Sequence, residues 1–137
     1  MLFRSTIVQN LGHKISFNML HFILNFKSIF GCIDYFKMQG FHNNSFVIGA
    51  LLNPEYLNIR HLPENVLQLV ETKLVDWINQ KPGYLLENSL ENVLQYIKVP
   101  IEKNIDYCLA EIAKMDQRRN INSRAVFTEL YNLLERQ

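Results

Sequence analysis

Asn53-Pro54-Glu55-Tyr56-Leu57-Asn58-Ile59-Arg60-His61-Leu62-Pro63 divides this chain into two unlike parts. Pro54 lacks a backbone donor and disfavours helix at Asn53, so it ends whatever precedes it. Pro63 suits the first turn of a new helix, and Glu64 suits the positive end of that helix dipole. From there Val66, Leu67, Val70, Leu74, Trp77 and Ile78 recur on one side of a helix predicted to reach about Gln80, where Lys81-Pro82-Gly83 stops it. The stretch is thus a stiff connector, carrying Tyr56 between its prolines, that opens an amphipathic helix.

Upstream, Lys14-Ile15-Ser16-Phe17-Asn18-Met19-Leu20 alternates and predicts a strand. A helix is expected over Asn25–Gln39, with Gly40 as its terminating glycine. Ser45–Leu52 is a short apolar run that reads as a buried strand. Strand, helix and strand at this spacing make one βαβ unit with parallel strands. Downstream, three more helices are expected. Asn88 or Ser89 can cap one that ends near Lys98 and buries Leu90, Val93, Leu94 and Ile97. Pro100 is expected to start another, with Ile101, Ile105, Cys108, Leu109 and Ile112 on its apolar face. Ser123 can cap a last one carrying Val126, Phe127, Leu130, Leu133 and Leu134. The predicted class is α/β, a βαβ unit followed by a mostly helical C-terminal extension. A single pair of strands is little sheet for a stand-alone α/β domain.

Composition narrows the function classes. The 137 residues are 48% hydrophobic and 20% charged, as expected of a globular chain with one modest core. A net charge of +1 gives no long-range field to gather nucleic acid or an anionic membrane. Asp116 and Glu111 dilute the basic cluster between Lys114 and Arg119. Phe17–Phe36 is interrupted by Asn18, His21, Asn25, Lys27 and Asp34, which falls short of a membrane span. With no continuous apolar stretch at the N-terminus, the cytoplasm is the expected location. The two cysteines, Cys32 and Cys108, read as buried thiols in a reducing compartment, with a disulfide left open. No C-x-x-C pair, P-loop or Ser-His-Asp arrangement stands out, and the four histidines share no helical i, i+4 pairing. Asn18 reads either as a ligand contact or as a strand-end residue satisfying backbone groups. Tyr56 reads either as a pocket wall or as packing for the connector.

Taken in order, several segments resemble the closing part of twitch-type radical S-adenosylmethionine proteins. Pro54-Glu55-Tyr56-Leu57-Asn58-Ile59 with Leu62-Pro63 is similar to the aromatic-Leu loop and Leu-Pro helix start that follow the late barrel strands in that family. Met115-Asp116-Gln117-Arg118-Arg119, Phe127 and Glu129-Leu130 resemble its terminal helix and Phe-x-Glu-Leu segment, with Thr128 where a proline is common. Ile15-Ser16-Phe17-Asn18 resembles a barrel strand ending near an Asn. The resemblance covers roughly residues 12 to 131, and it rests on the order and spacing of these segments.

The resemblance implies a partial (β/α) barrel remnant over residues 1–62 and a helical C-terminal extension over residues 63–137. It also implies a parent enzyme with a four-iron–four-sulfur cluster held by a C-x-x-x-C-x-x-C loop, which cleaves S-adenosylmethionine to a 5′-deoxyadenosyl radical. This sequence has no such loop, and Cys32 and Cys108 do not match it. The expectation is therefore a partial chain, inactive alone, whose Ser16, Asn18 and the backbone around Phe46, Val47 and Ile48 form part of an adenosine pocket wall. Its expected partners are the missing N-terminal barrel portion or a second copy, met through an exposed strand edge. The alternative is a small, mostly helical protein-interaction module, without catalysis, that binds through the helices after Pro63.

Overall fold

The computed structural model describes residues 16–136. Lys14 and Ile15, expected in the first strand, lie outside them. Strand β1 (Phe17–His21) is followed by helix α1 (Ser28–Met38), strand β2 (Phe46–Ala50) and the connector, which coils through short 3-10 turns at Glu55–Leu57 and Ile59–His61. Helices α2 (Glu64–Asn79), α3 (Tyr84–Lys98), α4 (Ile105–Arg119), α5 (Ser123–Val126) and α6 (Thr128–Glu135) complete the described chain. The two strands pair in parallel, with Phe17 opposite Phe46 and His21 opposite Ala50. The expected βαβ unit is present, and the described remainder is helical.

One face of this small sheet is the core. Phe17 stacks on Phe36 of α1 at 4.6 Å between ring centroids and on Phe46 at 5.5 Å, while Phe41 meets it edge-on at 4.8 Å. Phe30 of α1 sits edge-on to His21 at 5.7 Å and against Trp77 of α2 at 5.4 Å. The expected apolar faces of α2 and α3 join the same cluster through Val66, Val70 and Leu74, and through Leu86, Leu90 and Val93. Cys108, Ile112 and Leu130 extend it under α4 and α6. One hydrophobic cluster therefore runs across the boundary expected at residues 62 and 63.

Four local expectations are corrected. The first helix starts at Ser28 rather than Asn25, because the Asn25 side chain serves the crossover turn. It accepts from Phe22 N–H and donates to Leu20 C=O, both at 2.8 Å. Helix α3 starts at Tyr84, just after Gly83, whose φ of 115° is a conformation that suits glycine. Ser89 is thus inside the helix, not at its cap. Helix α4 starts at Ile105 instead of Pro100. Val99 is held extended by the proline after it, and Asn104 caps the helix by accepting from Tyr107 N–H at 3.0 Å. Asn122, rather than Ser123, caps α5, and Phe127 breaks the expected last helix into α5 and α6. Gly40 follows α1 at φ 105°, as expected of a terminating glycine.

Candidate functional site

The two faces of the β1–β2 sheet sort the predicted site residues. Side chains alternate across a strand, so Phe17, Met19 and His21 share a face with Phe46 and Ile48. Phe46 and Ile48 are buried there at 0% and 3% exposure, so their side chains cannot line an open ligand pocket. That burial concerns the side chains, whereas the expectation there is for the backbone around Phe46 to Ile48. Ser16 and Asn18 are exposed, and Asn18 lies opposite half-buried Val47 on the other face, next to Leu20 and Gly49. Three of the five predicted residues, Ser16, Asn18 and Val47, thus belong to one open face. Asn18 is the second residue of β1, one position in from the strand's start, with Phe17 and Met19 continuing the ladder on either side.

The two sheet edges also differ. Leu51 N–H donates to His21 C=O at 3.0 Å, whereas Ile48 N–H donates to Ser89 Oγ at 3.1 Å. Alternate residues of a parallel ladder direct their backbone groups to opposite sides. The outer edge of β2 is therefore met by α3, with Ser89 completing a relay by donating to Leu86 C=O at 2.9 Å. On β1 the outward residues are Asn18 and Leu20. Asn25 takes up the Leu20 carbonyl, and no backbone partner covers Asn18 among the described residues.

The connector leaves the carboxyl end of β2 through a cis Asn53–Pro54 bond and forms a polar hub that sequence reading missed. His61 is buried at 5% exposure. Its Nδ1 accepts the backbone N–H of Asn104 at 3.0 Å, which leaves Nε2 to carry the ring hydrogen and donate to Glu55 Oε1 at 2.9 Å. Asn58 Nδ2 donates to the Tyr96 hydroxyl at 2.7 Å, and the Arg60 guanidinium lies over the Tyr96 ring at 4.1 Å. Lys103 Nζ donates to Arg60 C=O at 2.7 Å. Partial burial holds the Lys103 ammonium below its ordinary pKa, Glu64 opposing and Arg60 adding to the effect. Tyr56 packs against the core as half-buried support for this hub. A sequence signal existed in Asn58, Arg60 and His61, three polar residues set around Ile59 and between apolar neighbours. The partners at Tyr96 and Asn104 are roughly 40 residues away, beyond the reach of local pattern.

His21 is a second buried polar group. Its Nε2 donates to Phe26 C=O at 2.8 Å, and its Nδ1 has no partner among the described residues. Burial, only partly offset by that bond, lowers its pKa to about 4. It pins the turn between β1 and α1, and it is not open to a ligand.

The residues present do not fit an iron–sulfur cluster. Cys32 is exposed on α1, contrary to the buried thiol expected, and Cys108 is buried on α4. Burial, with the Glu55 carboxylate adding to it, pushes the Cys108 thiol up to about 11, so it keeps its proton. Two thiols on separate helices cannot supply the set of thiolates such a cluster needs. Among the described residues no group of three or more His, Cys, Asp or Glu could hold a metal ion. No helix among them is long and apolar enough to cross a membrane. In comparisons with known proteins, no family model, no curated protein and no solved structure matches this chain.

Proposed function

We propose that this chain is the closing portion of a radical S-adenosylmethionine barrel of the twitch type, acting in the cytoplasm together with preceding barrel strands. The observation that carries the reading is the half-covered parallel sheet. Parallel pairs occur almost only where both faces are covered, yet among the described residues helices cover one face and Ser16, Asn18, Leu20 and Val47 remain on the other. A barrel lumen would cover that face, and a preceding strand would pair beside Asn18. In this arrangement the Ser16 hydroxyl and Asn18 amide, beside Val47, form part of the wall around the adenosine of S-adenosylmethionine. The cluster thiolates come from elsewhere in the assembly, and this chain contributes wall and closure rather than the radical chemistry.

The reading is tested by the coding sequence immediately upstream. It should encode, in frame or in an adjacent gene, a polypeptide with three closely spaced cysteines. Co-produced anaerobically with that polypeptide, the chain should enter a brown complex that, given the one-electron reductant dithionite, cleaves S-adenosylmethionine to methionine and a 5′-deoxyadenosyl radical, recovered as 5′-deoxyadenosine after it takes a hydrogen atom from substrate or solvent components. An upstream region without such a polypeptide, or a complex that leaves S-adenosylmethionine intact, overturns it. The rival interaction module, binding through the helices after Pro63, would use their exposed apolar residues, such as Leu69, Tyr84 and Val126. The apolar faces of α2 and α3 are already committed to the core.

A further inference from the structure

We propose that His61 is a proton-operated latch between the connector and the N-terminal end of α4. The imidazole makes two hydrogen bonds. Nδ1 accepts from Asn104 N–H, a group that can only donate, while Nε2–H donates to Glu55. Adding a proton places a hydrogen on Nδ1, facing the Asn104 N–H. Two donors then oppose each other inside a buried contact, so the latch must open there. The Glu55 contact survives and gains charge, but the Glu55 side chain is 57% exposed and solvent screens that gain.

The surrounding groups set how far the latch moves. Glu55 favours the charged ring. Arg60, its neighbour in sequence, and Lys103, beside Asn104, oppose it. Glu64, which pairs loosely with Lys103 at 4.0 Å, offsets part of that opposition. Cys108, one turn into α4, stays neutral, and Tyr96 is held by Asn58 and Arg60. Asn104 is also the cap of α4, so a displacement of its backbone disturbs the Tyr107 N–H that its side chain holds. The charge of one imidazole is thereby read out at a helix start 43 residues away in sequence.

Nitrogen NMR of the His61 ring and amide hydrogen exchange, followed together from pH 8 to pH 5, test it. At high pH the ring should be the Nε2–H form. As it gains its second proton, protection of the Asn104 amide should fall about tenfold relative to amides in α2. In His61→Asn, which offers a side-chain oxygen that does not titrate, Asn104 protection should stay constant over the range. An Nδ1–H form at high pH overturns the latch. So does a ring that stays neutral to pH 5, a protonated ring with Asn104 still protected, or a pH-dependent loss that persists in His61→Asn.

Discussion

The two faces of the β1–β2 sheet are made by alternate residues of the same ten positions, and they obey different rules. On one, Phe17 and Phe46 stack among the rings of α1, and His21 is sealed in with them. On the other, Asn18 meets solvent among the described residues, as does Ser16 just before the strand, with Leu20 still 49% exposed. A one-residue slip would exchange the two sets, so the register is fixed by the packed face alone. The open face is then free to carry residues chosen for something other than stability. The sharpest way to break this comparison is to truncate one residue on each side. Phe46→Ala should cost about 3–5 kcal/mol in urea unfolding, through lost burial and the cavity left behind. Asn18→Ala should change stability by less than about 0.5 kcal/mol. A large loss from Asn18→Ala would mean that its face is covered in solution.

The alternation that sorts these faces was legible in the sequence, as were the parallel pairing, the terminating Gly40 and the helix opened by Pro63. Each depends on local spacing or on a residue with one dominant conformational effect. The candidate wall was legible only in part. Strand periodicity could have separated Ser16, Asn18 and Val47 from Phe46 and Ile48, since Asn18 and Val47 pair across the strands while Phe46 falls on the opposite parity. What hid it was the unknown register between two strands separated by a helix. The helix starts failed for a related reason. Ser89 and Asn25 look like cap residues, but each is engaged by the sheet, and Pro100 only delays a helix that Asn104 begins. The hub at His61 depends on partners from α3 and the start of α4, which no local window contains.

Acid should discriminate the faces next. His21 is neutral in the folded chain, with a pKa lowered from 6.5 to about 4. Between those values the unfolded chain holds the extra proton and the folded chain does not. Stability from this group is therefore fully present above about pH 6.5, declines as the pH falls, and is flat again below about 4. The expected loss is about 3 kcal/mol. In His21→Gln, which keeps a donor for Phe26 C=O and does not titrate, the decline in urea midpoint from pH 7 to pH 4.5 should shrink accordingly. An unchanged decline would place the acid sensitivity elsewhere.

The smallest expected difference lies between the edges rather than the faces. Ser89 accepts the outward Ile48 N–H inside the core, whereas Asn25 closes the outer side of β1 near solvent. A buried donor that loses its acceptor costs more than an exposed pair that water can replace. Ser89→Ala should therefore destabilise by about 1–3 kcal/mol and raise exchange at the Ile48 amide, with Asn25→Ala costing about 1 kcal/mol or less. Because α3 still covers the β2 edge in Ser89→Ala, that variant should gain no concentration-dependent association, whereas Asn25→Ala, which frees the Leu20 carbonyl on the β1 edge, should gain it. Association produced by Ser89→Ala instead would place the adhesive edge at β2, against the barrel reading, which expects its missing neighbour at β1.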